Sequence, residues 1–156
     1  MKQGFIIVLV VILLFASCTT CRHTPQVETL RITENKRFMV ADSGDPFFWL
    51  GDTGWLLFTK LDRNEADIYF NDRREKGFNV IQVMLLHDVR KAVNIFGDSA
   101  LVDHQVDQPL TAAGSYPADS LQYDYWDHVE YIVDLAADKG LYMALVPVWG
   151  SNVRNG

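Results

Sequence analysis

The chain is short of several things, and each shortage excludes something. Only two of its 156 residues are cysteine, so it is no disulfide-dense miniprotein. No run of Lys and Arg exceeds two residues, and 14 basic against 20 acidic side chains leave a net charge of −6. The positive footprint of a nucleic-acid binder is therefore missing. No apolar run reaches the roughly 20 residues of a membrane-spanning helix. Gly51-Asp52-Thr53-Gly54 has neither the G-x-G-x-x-G nor the P-loop spacing, and neither a G-x-S-x-G elbow nor an H-E-x-x-H pair occurs. What remains is 49% hydrophobic, 12% aromatic and 22% charged, an ordinary globular composition. It excludes collagen, a mucin-like stalk and a disordered acidic tail.

The longest apolar run is N-terminal. Lys2 precedes twelve apolar residues, Phe5 to Ala16, and Ser17-Cys18 follow. A run of that length suits the h-region of an export signal. Small residues directly before a cysteine resemble a bacterial lipobox, with Phe15 where an aliphatic residue is usual. Residues 1–17 are expected to be a lipoprotein signal peptide, Cys18 the lipidated residue, and 18–28 a tether. The protein is then exported and held by lipid to the outer membrane, on its cell-surface or periplasmic face. Cys18 and Cys21 form C-x-x-C, but no βαβ unit begins there and no second cysteine pair exists. Neither a redox role nor a metal is expected, and no cofactor.

From residue 29 onward the chain reads as alternating strand and helix. Leu30–Ile32 and Arg37–Val40 suit a hairpin turning at Glu34-Asn35-Lys36. Phe47 to Leu50 is fully apolar and suits a buried strand. Asp62 and Glu65 have capping-box spacing. They open a helix with Ala66, Tyr69, Phe70 and Arg73 on one face, closed by Gly77. Phe78 to Leu86 is the next strand, Tyr125 to Lys139 the next helix and Leu141 to Trp149 a further strand. The predicted class is α/β with a parallel sheet, either doubly wound or a barrel. Residues 87–124 form a long connection at the carboxyl end of a strand, where sites are built.

Polar and aromatic side chains collect at those strand ends. Asp52 and Trp55 follow the first strand, His87 and Asp88 the second, and Trp149, Ser151 and Asn152 the third. Carboxylates and amides bond sugar hydroxyls and flat indoles suit sugar rings, so a carbohydrate cleft is plausible chemistry. Each residue also has a plainer role. Asp52 could cap a turn, and Trp55 could be core. Gln82, inside an apolar strand, either faces the sheet's inner side beneath a site or bonds a neighbouring backbone. His87-Asp88 reads as a solvated loop pair, because successive strand residues face opposite ways. His128 carries no signal, and Trp126 belongs to a helix's apolar stripe.

Asp45-Pro46-Phe47-Phe48-Trp49-Leu50-Gly51-Asp52-Thr53-Gly54-Trp55 resembles the opening strand of the apiosidase-like glycoside hydrolases (DUF4038, glycoside hydrolase family 140). Glu65-Ala66-Asp67, Lys76-Gly77-Phe78-Asn79-Val80-Ile81-Gln82 and Asn94-Ile95-Phe96-Gly97 continue the similarity. Tyr125-Trp126-Asp127-His128-Val129, Ala136 to Leu141 and Pro147-Val148-Trp149-Gly150 complete it over about residues 36–154. The resemblance implies a (β/α)8 TIM barrel that cleaves plant cell-wall glycans, pectic side chains among them. Residues 29–156 would be its N-terminal part, an incomplete barrel preceded by a short β-hairpin. The catalytic carboxyl groups are expected beyond Gly156. Asp52, Trp55, Gln82, Asn94 and Trp149 are the candidate sugar contacts. The partners expected are an oligosaccharide or polysaccharide substrate and a membrane, with no nucleic acid. The rival reading is a non-catalytic surface glycan-binding lipoprotein, and a third is a small complete α/β domain of unrelated role.

Overall fold

A computed structural model describes residues 27–153 of the chain. The apolar N-terminal run, Cys18, Cys21 and most of the expected tether lie outside the described residues. Among the described residues, no helix is long and apolar enough to cross a membrane. Glu28, expected in the tether, is docked. Its carboxylate accepts the Ser43 N–H (2.9 Å) and its backbone carbonyl accepts the Tyr142 hydroxyl (2.6 Å).

Strand β1 (Leu30–Ile32) pairs antiparallel with β2 (Met39–Ala41), which pairs antiparallel with β3 (Pro46–Phe47). The turn between β1 and β2 is the expected one. Lys36 takes a left-handed φ of 58°, and Asn35 Oδ1 accepts from the Arg37 N–H and the Thr33 hydroxyl. Phe47–Leu50 is not the buried strand its apolarity suggested. Phe48, Trp49 and Leu50 are exposed, and the next strand, β4, begins only at Gly51 and ends at Thr53. The run is instead held largely through Asn79, whose backbone N–H donates to the Leu50 carbonyl (3.0 Å). Asn79 Nδ2 donates to the Phe48 carbonyl (2.7 Å), and Asn79 Oδ1 accepts the Leu50 N–H (2.9 Å). A polar clamp thus fixes a segment that hydropathy alone assigns to a ladder.

Helix α1 (Leu57–Lys60) is a single turn with Leu57 and Phe58 buried, too short to leave a periodic signature. Helix α2 (Arg63–Glu75) starts at the expected capping box. Asp62 accepts the Glu65 N–H (2.8 Å) while Glu65 accepts the Asp62 N–H (2.9 Å). It ends at Gly77, whose φ of +82° would strain a residue with a Cβ. Strand β5 (Val80–Leu86) follows. Helix α3 (Tyr125–Asp138) has a second capping box, Asp124 with Asp127. Strand β6 (Tyr142–Val148) and the short α4 (Gly150–Val153) end the described chain.

The second sheet is parallel, in the order β4-β5-β6, with Asp52 beside Ile81 and Thr53 beside Gln82 and then Ala144. Both crossovers step in the same direction. Right-handed connections therefore put α2 and α3 on one face, where they pack against each other. Phe58, Phe70, Ile81, Ile132 and Ala136 are fully buried between sheet and helices. Lys139, just after α3, reaches Asp67 on α2 (2.7 Å) and ties the two helices. The opposite face carries Thr53, Gln82 and Ala144. At its amino end it is covered by the small sheet, with Phe47 edge-on to Tyr142 at 5.1 Å. The architecture is mixed α/β, and its parallel sheet is singly wound over these three strands.

The long connection 87–124 is ordered by many small ties. Val93 bridges Ser99, and Leu101 bridges Pro109. Ala92, Ala100 and Leu101 are buried in the main core. The Trp126 indole, half-buried on α3, donates to the Ala100 carbonyl (2.9 Å). Asp124 accepts the Ala112 N–H (2.6 Å) with the carboxylate that also caps α3.

Candidate active site

The carboxyl ends of the parallel strands bring two of the expected sugar contacts together. Trp55 follows β4 and Trp149 follows β6. Their ring centroids lie 5.4 Å apart, tilted by 43°. β5 runs between their strands, so the pair spans the sheet. Trp55 is half-buried, whereas Trp149 keeps 44% of its surface exposed. Gln82 lies on the inner face of the same sheet, between Thr53 and Ala144. Its carboxamide takes no hydrogen bond among the described residues.

Asp52 does not join them. Its side chain points to the helical face, the side of its neighbour Ile81. There it accepts the Tyr69 hydroxyl at 2.8 Å and the Arg73 guanidinium Nε–H. Burial works against its ionisation. Hydrogen bonds from Arg73, Tyr69 and the Thr53 backbone outweigh that, and its carboxyl is held below the ordinary carboxylate range. Tyr69, half-buried and facing that carboxylate, is pushed up to about 12. Gly54 lies close by, and a Cβ there would sit a tight 3.2 Å from the Tyr69 oxygen. Asp52 thus fastens β4 to α2.

Asn94 is 5% exposed and shapes its own loop. Its Oδ1 accepts the N–H groups of Phe96 (3.0 Å) and Asp98 (2.9 Å), and its Nδ2 donates to Asp98 (2.9 Å). It also lines a cavity of about 530 Å³ with Thr59, Lys60, His87, Asp88 and Lys91. His87 and Asp88 both face this hollow. β5 ends at Leu86, so the alternation that would send successive side chains to opposite faces no longer applies.

The organising residue that sequence reading passed over is His128. It is fully buried, with Nε2 2.9 Å from the Leu61 carbonyl and Nδ1 3.1 Å from the Tyr123 hydroxyl. The carbonyl can only accept, so Nε2 carries the proton and Nδ1 accepts from Tyr123. The Tyr123 oxygen in turn accepts from Arg63 Nε (3.2 Å), whose guanidinium lies between the Tyr123 and Tyr131 rings. Phe96 stands edge-on to His128 at 5.2 Å. The one signal available was Asp124 four residues earlier, a cap that turns His128 inward. Burial pushes the His128 imidazole below its ordinary 6.5. Its unfolded form therefore binds a proton first as pH falls, and folded stability declines as pH drops from about 6.5. Urea melts of the full-length protein should show that decline between about pH 7 and 5. A His128→Gln variant should lose the slope.

A family model for the apiosidase-like catalytic domain matches residues 33–156. The chain belongs to the apiosidase-like catalytic-domain family. Among solved structures, one named glycoside hydrolase is 39% identical, with a TM-score of 0.66 over 82% of this chain. Another, a glycoside hydrolase family 5 protein from Bacteroides vulgatus, is 34% identical, also at 0.66 over 82%. Among curated proteins none matches. The chain spans 27% and 26% of those two solved structures. In this apiosidase-like domain the indole pair, Gln82 and the His87 cavity share one end or one face of the sheet. Asp52 and Asn94 hold the elements that carry them.

Proposed function

We propose that the chain supplies the first three β/α units of a (β/α)8 barrel that hydrolyses plant cell-wall glycans, pectic ones among them. The observation that carries this is the Trp55–Trp149 pair, at the carboxyl ends of singly wound parallel strands, where barrel enzymes place their sites. Two indoles meeting there make one wall of a sugar cleft. Trp149 offers its exposed surface to a ring, and Gln82 offers its amide from below. Glycoside cleavage needs two carboxyl groups flanking the bond. Asp52 is committed to Arg73 and Tyr69, so we assign the reacting carboxyl groups to strands outside these 156 residues.

Full-length protein should release reducing sugar from pectic oligosaccharides, followed by chromatography of the products. Binding without any cleavage would favour the non-catalytic glycan-binding lipoprotein instead, since the indole wall serves either role. Export and lipid attachment rest on the apolar run and Cys18. Labelled palmitate should enter the wild type and not Cys18→Ser, and equal labelling would sink the lipid anchor.

A further inference from the structure

We propose that the outer face of the small β1–β3 sheet rests on the lipid surface to which the chain is anchored, turning the indole wall away from the membrane. The inference rests on the reading of Cys18 as the lipidated residue. Register separates the two faces of the small sheet. Met39 pairs with Phe47, and Phe47 meets Tyr142 at the amino end of β6. That face closes over the parallel sheet. Side chains alternate along a strand, so Phe38, Val40, Pro46 and Phe48 belong to the other face. Phe38 and Phe48 stand one step beyond the Met39–Phe47 pair, across from each other. Phe38 is 61% and Phe48 77% exposed. Strands that extend the parallel sheet join its edges at β4 and β6, so this outer face is turned away from them.

The anchor lies close by. Glu28 is ten residues past Cys18, a stretch that reaches at most about 35 Å. Glu28 is fastened to Ser43 and Tyr142, at the small sheet itself. A lipid on Cys18 therefore tethers the fold by this sheet and keeps it near the bilayer. The side chains suit such a surface. Phe38 and Phe48 offer apolar rings. Lys36 and Arg37, exposed in the adjoining turn with Glu34, can reach lipid phosphates. Asn79 fixes the Phe48 carbonyl although the ring itself stands in water. Rings on a fixed backbone lose little freedom when a surface covers them. The orientation follows from β6, whose seven residues span about 20 Å from Tyr142 to Val148, with Trp149 beyond. The small sheet and the Trp55–Trp149 pair thus occupy opposite ends of the parallel strands. With the first against lipid, the second faces outward, where a glycan chain can reach it.

Hydroxyl-radical footprinting of the full-length protein tests this, with Phe38, Phe48 and Trp149 as reporters. Lipidated wild type in vesicles of phosphatidylethanolamine and phosphatidylglycerol is compared with a soluble Cys18→Ser form. Phe38 and Phe48 are expected to oxidise readily in Cys18→Ser and about fivefold or more slowly in the anchored protein, with Trp149 unchanged. Protection of both rings already in Cys18→Ser would mean that a later part of the protein or a second copy covers the face, and would overturn the proposal. Equal oxidation of the rings in the two forms, or protection of Trp149 on the vesicle, would overturn it while leaving the lipid anchor standing. Failure of the wild type to attach to the vesicles would overturn the anchor and the contact together.

Discussion

Trp149→Ala in the full-length protein should weaken oligosaccharide binding about tenfold or more, with little loss of stability. The two effects separate because of where the indole sits. With 44% of its surface open, Trp149 contributes to folding mainly through its tilted contact with Trp55 at 5.4 Å. An aromatic pair of this kind is worth about 0.5–1.5 kcal/mol beyond its buried area. In binding, the same ring is an exposed aromatic surface at the strand ends. Exposed tryptophans that become covered by a ligand commonly cost 2 kcal/mol or more when truncated, which is a factor of about 30. Titration calorimetry and urea melts on one preparation measure both quantities. Unchanged affinity with a large loss of stability would make Trp149 a packing residue and remove the main support for a sugar wall.

Phe70→Ala should have the largest effect on stability, about 3–5 kcal/mol. Phe70 is fully buried in the core between α2, α3 and β5, beside Ile81 and Ile132. Its removal loses the transfer energy of the ring and leaves a cavity whose lining comes from three elements, so collapse is resisted. Ile68, two residues earlier on α2 and 68% exposed, is the control. Ile68→Ala should change stability by less than about 0.5 kcal/mol. Comparable losses at the two positions would mean that α2 packs through a different face.

Much of this was legible from residues alone, for stated reasons. The capping box at Asp62 and Glu65, the face of Ala66, Phe70 and Arg73, and Gly77 at the end are local signals, and α2 follows them closely. The strand runs 78–86 and 141–149 contain β5 and β6 because buried parallel strands are continuously apolar. The segment 47–50 misled for the same reason, since apolarity does not distinguish a ladder strand from a run clamped by Asn79. Asp52 misled in another way. An acidic residue after an apolar run has the same appearance whether it meets a ligand or a guanidinium 21 residues later. His128 left little mark beyond the cap at Asp124, because its partners, Leu61 and Tyr123, lie 67 residues away and within an irregular loop.

The sequence by itself determined the elements and their order: a hairpin, then alternating helix and strand, with indoles and amides at the strand ends. Caps, glycines and hydropathy act within a few residues of where they are written, so they survive without any knowledge of the rest. Only the tertiary structure decided which side of the sheet each side chain serves. Register sends Asp52 to the helices and Gln82 to the inner face, and a one-residue shift would exchange them. Tertiary structure also brought Trp55 to Trp149, and Lys60 to Lys91 around one hollow. Those meetings depend on pairing between strands and on loop paths tens of residues long, which no local pattern encodes.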